Sequence, residues 1–261
     1  MTLISNISYR AWHVWRRNLD VSRSSWKTTI LPPLLEPMLY IVAFGLGLGA
    51  YVAKVGYRGR MTDYLAFLAP GMIALGVLSH SIFECMYGSF VRMRYQRTFD
   101  AMLCTPLLME DILAGEILWG ATKGFFAGVV VLSVISVWGL AAFPSSLLVL
   151  PTAALSGLMF AAFGLLFASI SPYIENLNLP TFFFINPMFF FSGTFFPIDG
   201  LPRWLKALAW LLPLTHTVDL MRAAAYGILE ARLWASVAYL AVLTPIVCYA
   251  AIFLMKKRLI K

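Results

Sequence analysis

Charged residues are scarce in this chain. Only 12% of its 261 residues are Asp, Glu, Lys or Arg, whereas 61% are hydrophobic. A soluble domain usually carries about 25% charged residues. One soluble core cannot bury so much apolar surface, so lipid must cover part of it. The composition therefore excludes an ordinary soluble domain and predicts an integral membrane protein.

Cysteine is also rare, and the usual catalytic motifs are missing from the sequence. Cys85, Cys104 and Cys248 are scattered without C-x-x-C spacing, which predicts neither a disulfide framework nor a zinc site. Neither H-E-x-x-H nor G-x-S-x-G occurs, and the three histidines lie in different segments. We therefore expect no catalytic residue, no metal site and no cofactor in this chain.

Six apolar stretches are each long enough to cross a hydrocarbon core of about 30 Å. They cover residues 28–52, 64–90, 112–138, 147–170, 177–196 and 233–255. We expect one all-α domain over residues 1–261, with a six-span bundle at 28–255, a leader at 1–27 and a tail at 256–261. Gly124 and Gly128 form a G-x-x-x-G spacing in the third stretch, which predicts close helix packing inside the chain.

The positions of the cations predict the orientation in the membrane. The leader, the loop after the second stretch and the tail together hold more than half of the 20 Lys and Arg. The positive-inside rule then places both termini in the cytoplasm of a cell whose inner (plasma) membrane holds the chain. A net charge of +8 would suggest nucleic acid for a soluble protein. Because these cations flank apolar stretches, we expect anionic lipid as a partner and no nucleic acid.

The leader has an amphipathic pattern. Ile7, Trp12, Trp15 and Leu19 recur near helical spacing beside several arginines. This combination is typical of a helix that lies in the membrane interface. A disordered basic tail is the alternative.

The loop after the second stretch predicts a short amphipathic helix. Thr98 suits its N-cap and Asp100 its first turn, and Pro106 would end it. Three apolar side chains share one face at i, i+3 and i+4, and we expect this face to be exposed. Docking to a partner and resting on lipid headgroups both remain open. The candidate residues are Arg97, Thr98, Phe99, Asp100, Met102, Leu103, Thr105 and Pro106.

The segment between the fifth and sixth stretches is divided by prolines into pieces too short to span a membrane. Such pieces are typical of re-entrant or interfacial helices, and their tryptophans suit the outer interface. We expect a pair of helices that dips from the outer face, with an outer cap that has no role in transport as the alternative. The candidate residues are Pro197, Pro202, Trp204, Pro213, His216, Asp219 and Arg222.

Three charged residues fall within or near the apolar stretches: Glu36, Glu84 and Lys123. A charge at the bilayer centre costs at least about 2.5–3.5 kcal/mol, so such residues are usually paired or face a cavity. Glu84 and Lys123 have similar depths on adjacent stretches, so they either form an ion pair or both reach the interface. Glu36 follows Pro32 and Pro33, which should break the first stretch, and it would support that break or form part of a cytoplasmic gate.

Several of these segments, in a consistent order, resemble the ABC type-2 permease family. The resemblance is carried by residues 36–40, 45–49, 83–84, 97–103, 111–116, 121–123, 196–202 and 213–222. Within the family, the chain resembles the nodulation protein J group of lipo-oligosaccharide exporters. The resemblance covers nearly the whole chain and is much less specific for the substrate than for the family.

The resemblance implies a homodimeric permease that binds two separate ATPase subunits, which hold ATP and Mg²⁺. Residues 97–106 would be the coupling helix, and the segment between stretches 5 and 6 would be a re-entrant hairpin near the exit. The substrate would be a lipo-oligosaccharide, a lipid-linked glycan or another amphiphile. A drug or lipid exporter of the same family is the alternative. A secondary transporter or a membrane-embedded transferase is less well supported, because the sequence shows neither an internal repeat nor clustered acidic or His residues.

Overall fold

The computed structural model describes residues 7–24, 26–47, 49, 51–52, 54–57, 60–228 and 230–259. The fold is mostly helical. Its elements are α1 (Ala11–Ser24), α2 (Trp26–Gly47), β1 (Lys54–Tyr57), β2 (Arg60–Asp63), α3 (Tyr64–Phe83), α4 (Ser89–Arg94), α5 (Thr98–Leu103), α6 (Met109–Val137), α7 (Val149–Ile170), α8 (Asn178–Pro180), α9 (Asn186–Phe191), α10 (Arg203–Leu211), α11 (Pro213–Tyr226) and α12 (Leu233–Leu259). Single π-helical turns at Glu84–Gly88 and Thr181–Ile185 connect α3 to α4 and α8 to α9, and 3-10 turns occupy Ser145–Leu148, Ile174–Leu177 and Ile198–Gly200.

Four helical segments are long and apolar enough to cross a membrane within the described residues. They are Tyr64–Arg94, Met109–Val137, Ser145–Ile170 and Leu233–Leu259, and they confirm the second, third, fourth and sixth predicted stretches. In α2 the apolar part is shorter, Leu35–Gly45. The fifth stretch consists of short helical pieces that end at Phe191. Helix length therefore supports four of the six predicted spans directly.

The expected all-α fold is wrong for the loop after α2. Strands β1 and β2 pair antiparallel, with Val55 opposite Thr62 and Tyr57 opposite Arg60. Val55 and Tyr57 are buried and alternate with exposed residues, as a strand with one buried face requires. Strands this short carry too little alternation to be recognised beside long apolar stretches.

The expected break at Pro32 and Pro33 is also absent. Helix α2 continues through both prolines to Gly47. Each proline removes one backbone donor, but membrane helices tolerate this loss where neighbouring groups satisfy the freed carbonyls. Glu36 therefore does not lie at a chain break.

The third predicted span packs against its neighbours through small residues, as the G-x-x-x-G spacing predicts. A Cβ atom placed on Gly124 would meet Ser81 Oγ and would lie 2.8 Å from the Val77 carbonyl oxygen. One placed on Gly128 would lie 3.0 Å from Val77 Cγ2 and 3.3 Å from Ala153 Cβ. The two glycines thus let α6 approach α3 and α7 closely, and the contact lies within the chain.

The two ends of the bundle carry different features. At the terminal end, named for the first and last helices, α1 and the end of α12, Lys256 Nζ donates to Glu110 Oε1 at 2.5 Å and Arg258 donates to the Ala168 carbonyl at 2.6 Å. At the opposite end, here the hairpin end, the β1–β2 pair packs on α11, with the rings of Tyr57 and Tyr226 5.8 Å apart. The candidate residues divide between these ends.

Replacing Gly124 by Ala tests the helix packing. The new methyl group would require α3 and α6 to separate, because one of the obstructing atoms belongs to the backbone. We expect a loss of about 1–3 kcal/mol, the usual cost of overpacking, measured as a lower Tm of the purified protein in detergent. Gly200→Ala is the matched control, since no atom lies within 4 Å of its added Cβ. Equal Tm values for the two variants would contradict the close helix contact.

Candidate functional site: a charge cluster beside the α4–α5 junction

Four charged side chains form a cluster at the terminal end: Glu84, Arg92, Glu116 and Lys123. Lys123 Nζ donates to Glu84 Oε2 at 2.6 Å, which confirms the predicted ion pair. Arg92 Nη1 donates to Glu84 Oε1 at 2.8 Å, and its Nη2 donates to Glu116 Oε2 at 2.6 Å. One guanidinium thus joins two carboxylates, and Glu116 is fully buried. The four charges balance, as groups withdrawn from water must.

The π-helical turn between α3 and α4 gives Arg92 its reach. Glu84 begins that turn and Gly88 ends it, between the glutamate and the arginine in sequence. A Cβ atom on Gly88 would lie 3.0 Å from Glu84 Oε1 and 3.3 Å from Arg92 Nη1. The absence of a side chain at this position therefore lets the guanidinium extend along the helix to Glu84. π-Helical turns frequently occur at functional sites.

The N-terminal helix α1 joins the cluster through Asn18. Its Nδ2 donates to Glu116 Oε1 at 2.8 Å, and Ser89 Oγ donates to the other oxygen of the same carboxylate at 2.6 Å. The approach depends on Gly115, where a Cβ atom would lie 2.6 Å from Val14 Cβ. The leader forms a helix as predicted, and its position in the membrane interface stays a prediction. Trp12 is exposed, and the buried face is formed by Ala11, Val14 and Asn18.

Further contacts hold α1 and the residues before it against α6 and the loop that precedes it. Trp15 Nε1 donates to Thr122 Oγ1 at 2.9 Å, and the Ser8 backbone N–H donates to Asp111 Oδ1 at 2.7 Å. Burial lowers the pKa of Arg17, an effect that the nearby negative charge of Glu116 opposes. The leader is therefore a packed element of the fold.

Helix α5 is shorter than predicted, and it begins differently. Arg97 occupies the N-cap position in the left-handed region with φ 49°, and no side chain caps the helix there. The prediction that Thr98 is the N-cap is wrong, since Thr98 is the first helical residue. The helix ends at Leu103, three residues before Pro106. The proline has no N–H to donate to the Met102 carbonyl, which accepts from Thr105 Oγ1 at 2.6 Å instead.

The apolar face of α5 is covered by the chain itself. Phe99 is 1% exposed and Met102 is 8% exposed, and both belong to the main core. Leu103, at 40%, is the exposed member of the predicted apolar face. The expectation of an exposed apolar face is therefore wrong for two of its three residues. Helical periodicity shows that three side chains share a face but not what covers them.

Glu36 lies apart from the charge cluster. Its Oε2 atom is 3.9 Å from Nε2 of His80, and its side chain is 44% exposed. His80 comes from α3, so this contact joins the first and second predicted spans. A single half-exposed carboxylate near a histidine is a weaker candidate for function than the cluster.

At the hairpin end, α10 and α11 occupy the pieces that the prolines predicted. Pro202 precedes α10 and Pro213 is the first residue of α11, where a missing N–H costs nothing. Trp204 is 71% exposed, as an interfacial anchor would be. His216 is buried, hydrogen-bonded to Ser236 Oγ at 3.0 Å and stacked on another ring, so it is a packed core histidine.

Arg222 and Asp219 close the hairpin end. Arg222 Nε donates to the Phe67 carbonyl at 3.2 Å and its Nη2 to the Gly193 carbonyl at 3.1 Å, while Tyr57 Oη donates to Asp219 at 3.1 Å. These bonds connect α3, the residues after α9, α11 and the β-hairpin. A small cavity of about 70 Å³ remains among these residues, and Pro197, Asp199 and Trp210 contribute to its wall.

Comparisons with known proteins decide the family. Residues 9–226 match the ABC-2 type transporter family. Nodulation protein J of Sinorhizobium fredii is 37% identical over 211 residues, which cover 81% of this chain and 79% of that protein. Nodulation protein J of Rhizobium leguminosarum bv. trifolii is 38% identical over 214 residues, 82% of this chain and 80% of that protein.

The chain belongs to the ABC-2 type transporter family. A more distant relative, the inner membrane transport permease YadH of Escherichia coli, is 24% identical over 216 residues, with 82% of each chain covered. The matched family region contains the charge cluster, α5, α10 and α11. The protein is therefore a membrane transport permease of this family.

Two members of the permease's charge cluster are not predicted from the sequence. Arg92 lies beyond the second predicted stretch, which ends at residue 90, although the helical segment continues to Arg94. Glu116 contributes to the sequence pattern only as part of residues 111–116, which carry the family resemblance. A signal existed for Arg92: Glu84, Gly88 and Arg92 recur every four residues, which places them on one helix face. In the described residues no group of three or more His, Cys, Asp or Glu could hold a metal ion.

Replacing Arg92 by Gln should destabilise the permease strongly. The change leaves the buried Glu116 and the partly buried Glu84 without their shared cation, and breaking a buried pair costs about 3–5 kcal/mol. Glu84→Gln and Lys123→Gln should show a coupling energy of about 0.5–3 kcal/mol in a double-mutant cycle. Thermal unfolding of the purified permease in detergent measures both effects.

The matched control for the cluster is Lys206→Gln. Lys206 pairs with Asp199 at 2.5 Å, but both side chains are substantially exposed, so little stability should be lost. Equal effects of Arg92→Gln and Lys206→Gln, or zero coupling between positions 84 and 123, would show that the cluster does not stabilise the fold.

Proposed function

We propose that this permease is the membrane subunit of an ABC exporter, which moves an amphiphilic substrate outward across the inner membrane. ATP hydrolysis would occur on a separate ATPase subunit that holds ATP and Mg²⁺. The family membership carries this proposal. The geometry supports it through the position of α5, directly after the helix that contributes Arg92 to the charge cluster.

Helix α5 is the proposed coupling helix. Phe99 and Met102 fix its inner face to the core, while Asp100, Leu103 and Cys104 are exposed on its outer side. Force applied to this outer side would reach α4 and α6 through packed side chains and through the charge cluster. An anchored helix transmits a displacement better than a loosely attached one, so the burial of Phe99 supports coupling. Because Phe99 is buried, the residues that would meet the ATPase are the exposed ones on the outer side.

A second copy of the permease is the proposed partner within the membrane. Helix α2 presents Leu35, Leu39 and Val42 on an exposed face, and Phe182 and Phe183 are exposed in the segment before α9. These surfaces would meet their counterparts in a homodimer and line the translocation path between the protomers. The short helices α10 and α11 would form the re-entrant pair near its outer exit.

The proposed substrate class is a lipo-oligosaccharide or a lipid-linked glycan. It rests on the similarity to nodulation protein J. A drug or lipid exporter of the same family is the alternative, because a relative such as YadH is named only as a transport permease. Transport assays with each substrate class would distinguish them.

We propose that the terminal end, with both termini, lies in the cytoplasm, and cysteine labelling tests this. Cys104 is exposed at the terminal end, so a membrane-impermeant maleimide should not label it in intact cells. Asp199→Cys in a Cys104→Ser background should be labelled, because Asp199 is exposed at the hairpin end. The control is labelling of both proteins in permeabilised cells. The reverse pattern in intact cells would invert the orientation.

Substitutions at the two faces of α5 test coupling. Leu103→Asp places a charge in the proposed ATPase contact and should weaken ATPase binding at least about tenfold without lowering the Tm of the permease. Phe99→Ala should instead lower the free energy of unfolding by about 3–5 kcal/mol, because it empties a core position. Co-purification with the ATPase measures binding, and thermal unfolding of the permease alone measures stability.

Leu103→Met is the matched control for binding. It keeps an apolar side chain of similar volume, so complex formation and transport should be retained. Wild-type complex formation and transport by Leu103→Asp would exclude α5 as the coupling helix.

A further inference from the structure

Two adjoining hollows lie at the terminal end, beside the α4–α5 junction. One has a volume of about 320 Å³ and is bounded by Ile170 and Tyr173 at the end of α7. The other has a volume of about 500 Å³ and reaches Arg97 and Asp100. Arg94 and Arg258 line both hollows and form their common wall.

Arginines outnumber carboxylates among the described residues that line these hollows. Arg258 donates to the carbonyls of Ala168 and Ser169 at 2.6 and 3.3 Å, which fixes its guanidinium at the end of α7. Arg94 and Arg97 are exposed, and within the described part of the chain no ion pair joins either to a carboxylate. Among the described residues that line the two hollows, Asp100 is the one acidic residue, beside three arginines.

The surroundings of the hollows indicate the membrane interface. Helix α12, which ends beside Arg258, has the smallest buried share of the four long apolar segments, 28% against 78% for Tyr64–Arg94. Most residues of that apolar segment are therefore not buried within this chain, and they are available to lipid. At the rim of the smaller hollow, Ile170 is 57% exposed and Tyr173 is 65% exposed. Apolar and aromatic side chains beside clustered cations are typical of the depth at which phospholipid headgroups lie.

We propose that Arg94, Arg97 and Arg258 bind the phosphate headgroup of an anionic phospholipid. Guanidinium groups suit phosphate oxygens because they donate paired hydrogen bonds. The apolar rim favours a lipid over a free phosphate, since acyl chains would cover Ile170 while the headgroup occupies the hollow. The site lies on the flank next to α12 and adjoins the surface proposed for the ATPase on the outer side of α5, with Asp100 at the edge of both.

A bound headgroup would connect the α4–α5 junction to α12. Arg94 and Arg97 belong to the junction, and Arg258 belongs to the last turn of α12. Anionic lipid would therefore hold the α4–α5 junction in a fixed position against the end of α12. The effect on transport rests on the proposed function, but binding of the lipid does not.

The test uses the full chain, purified in detergent and depleted of lipid. Dioctanoyl phosphatidylglycerol should raise the Tm in a saturable manner, and dioctanoyl phosphatidylcholine should not. Arg94→Gln/Arg97→Gln should require about 30-fold more phosphatidylglycerol for half of the effect, since each cation removed weakens the attraction about fivefold. Lys257→Gln is the matched control, because it removes an exposed cation next to Arg258 that lines neither hollow.

Three outcomes would overturn the proposal. An unchanged phosphatidylglycerol response in Arg94→Gln/Arg97→Gln would show that lipid binds elsewhere. Equal stabilisation by glycerol 3-phosphate would assign the site to soluble phosphates. If Arg94→Gln/Arg97→Gln lost co-purification with the ATPase but kept the lipid response, these arginines would be a protein contact. Because the lipid titration needs no ATPase, failure of the proposed exporter function would leave its result interpretable.

Discussion

The terminal end of this permease depends on one arginine shared by the buried carboxylate of Glu116 and the partly buried carboxylate of Glu84. Removing Glu84 and Glu116 from water carries a penalty that only complete pairing and hydrogen bonding can offset. Arg92 supplies that pairing for both, Lys123 neutralises the remaining charge, and Ser89 completes the set. The backbone accommodates this arrangement with a π-helical turn that ends in a glycine at position 88.

The same requirement explains why helices distant in sequence are held together. Glu116 also accepts a hydrogen bond from Asn18, so α1 is fixed to α6 where Gly115 allows close approach. The hairpin end uses a comparable device, in which Arg222 donates to carbonyl groups of α3 and of the segment after α9. Buried guanidinium groups thus connect segments at both ends, while small residues allow close helix packing between them.

Long apolar stretches and their helical periodicity made much of this architecture predictable. The Glu84–Lys123 pair followed from matched depth and from the cost of an unpaired charge in lipid. The part played by Arg92 could not be predicted, because the apolar stretch ends at residue 90. The helix continues beyond it, and the Arg92 side chain turns inward to the carboxylates. Periodicity also grouped Phe99 with Leu103 correctly but could not show that the core covers the first and leaves the second exposed. The strands of the β-hairpin are too short for their alternation to be recognised in the sequence.

The π-helical turn and the charge cluster together constrain how the α4–α5 junction can move. Glu84 is the first residue of the turn, and Arg92 lies four residues after its end. Bending the helix at the turn would therefore separate the guanidinium from at least one carboxylate. The helix should therefore resist bending while the cluster is intact, and α5, anchored by Phe99, should move together with α4 and α6. Under the proposed function, a displacement imposed on α5 would shift this whole end of the bundle. If an ion pair of Arg92 broke during the transport cycle, the helix could bend at the π-helical turn instead of moving as one body.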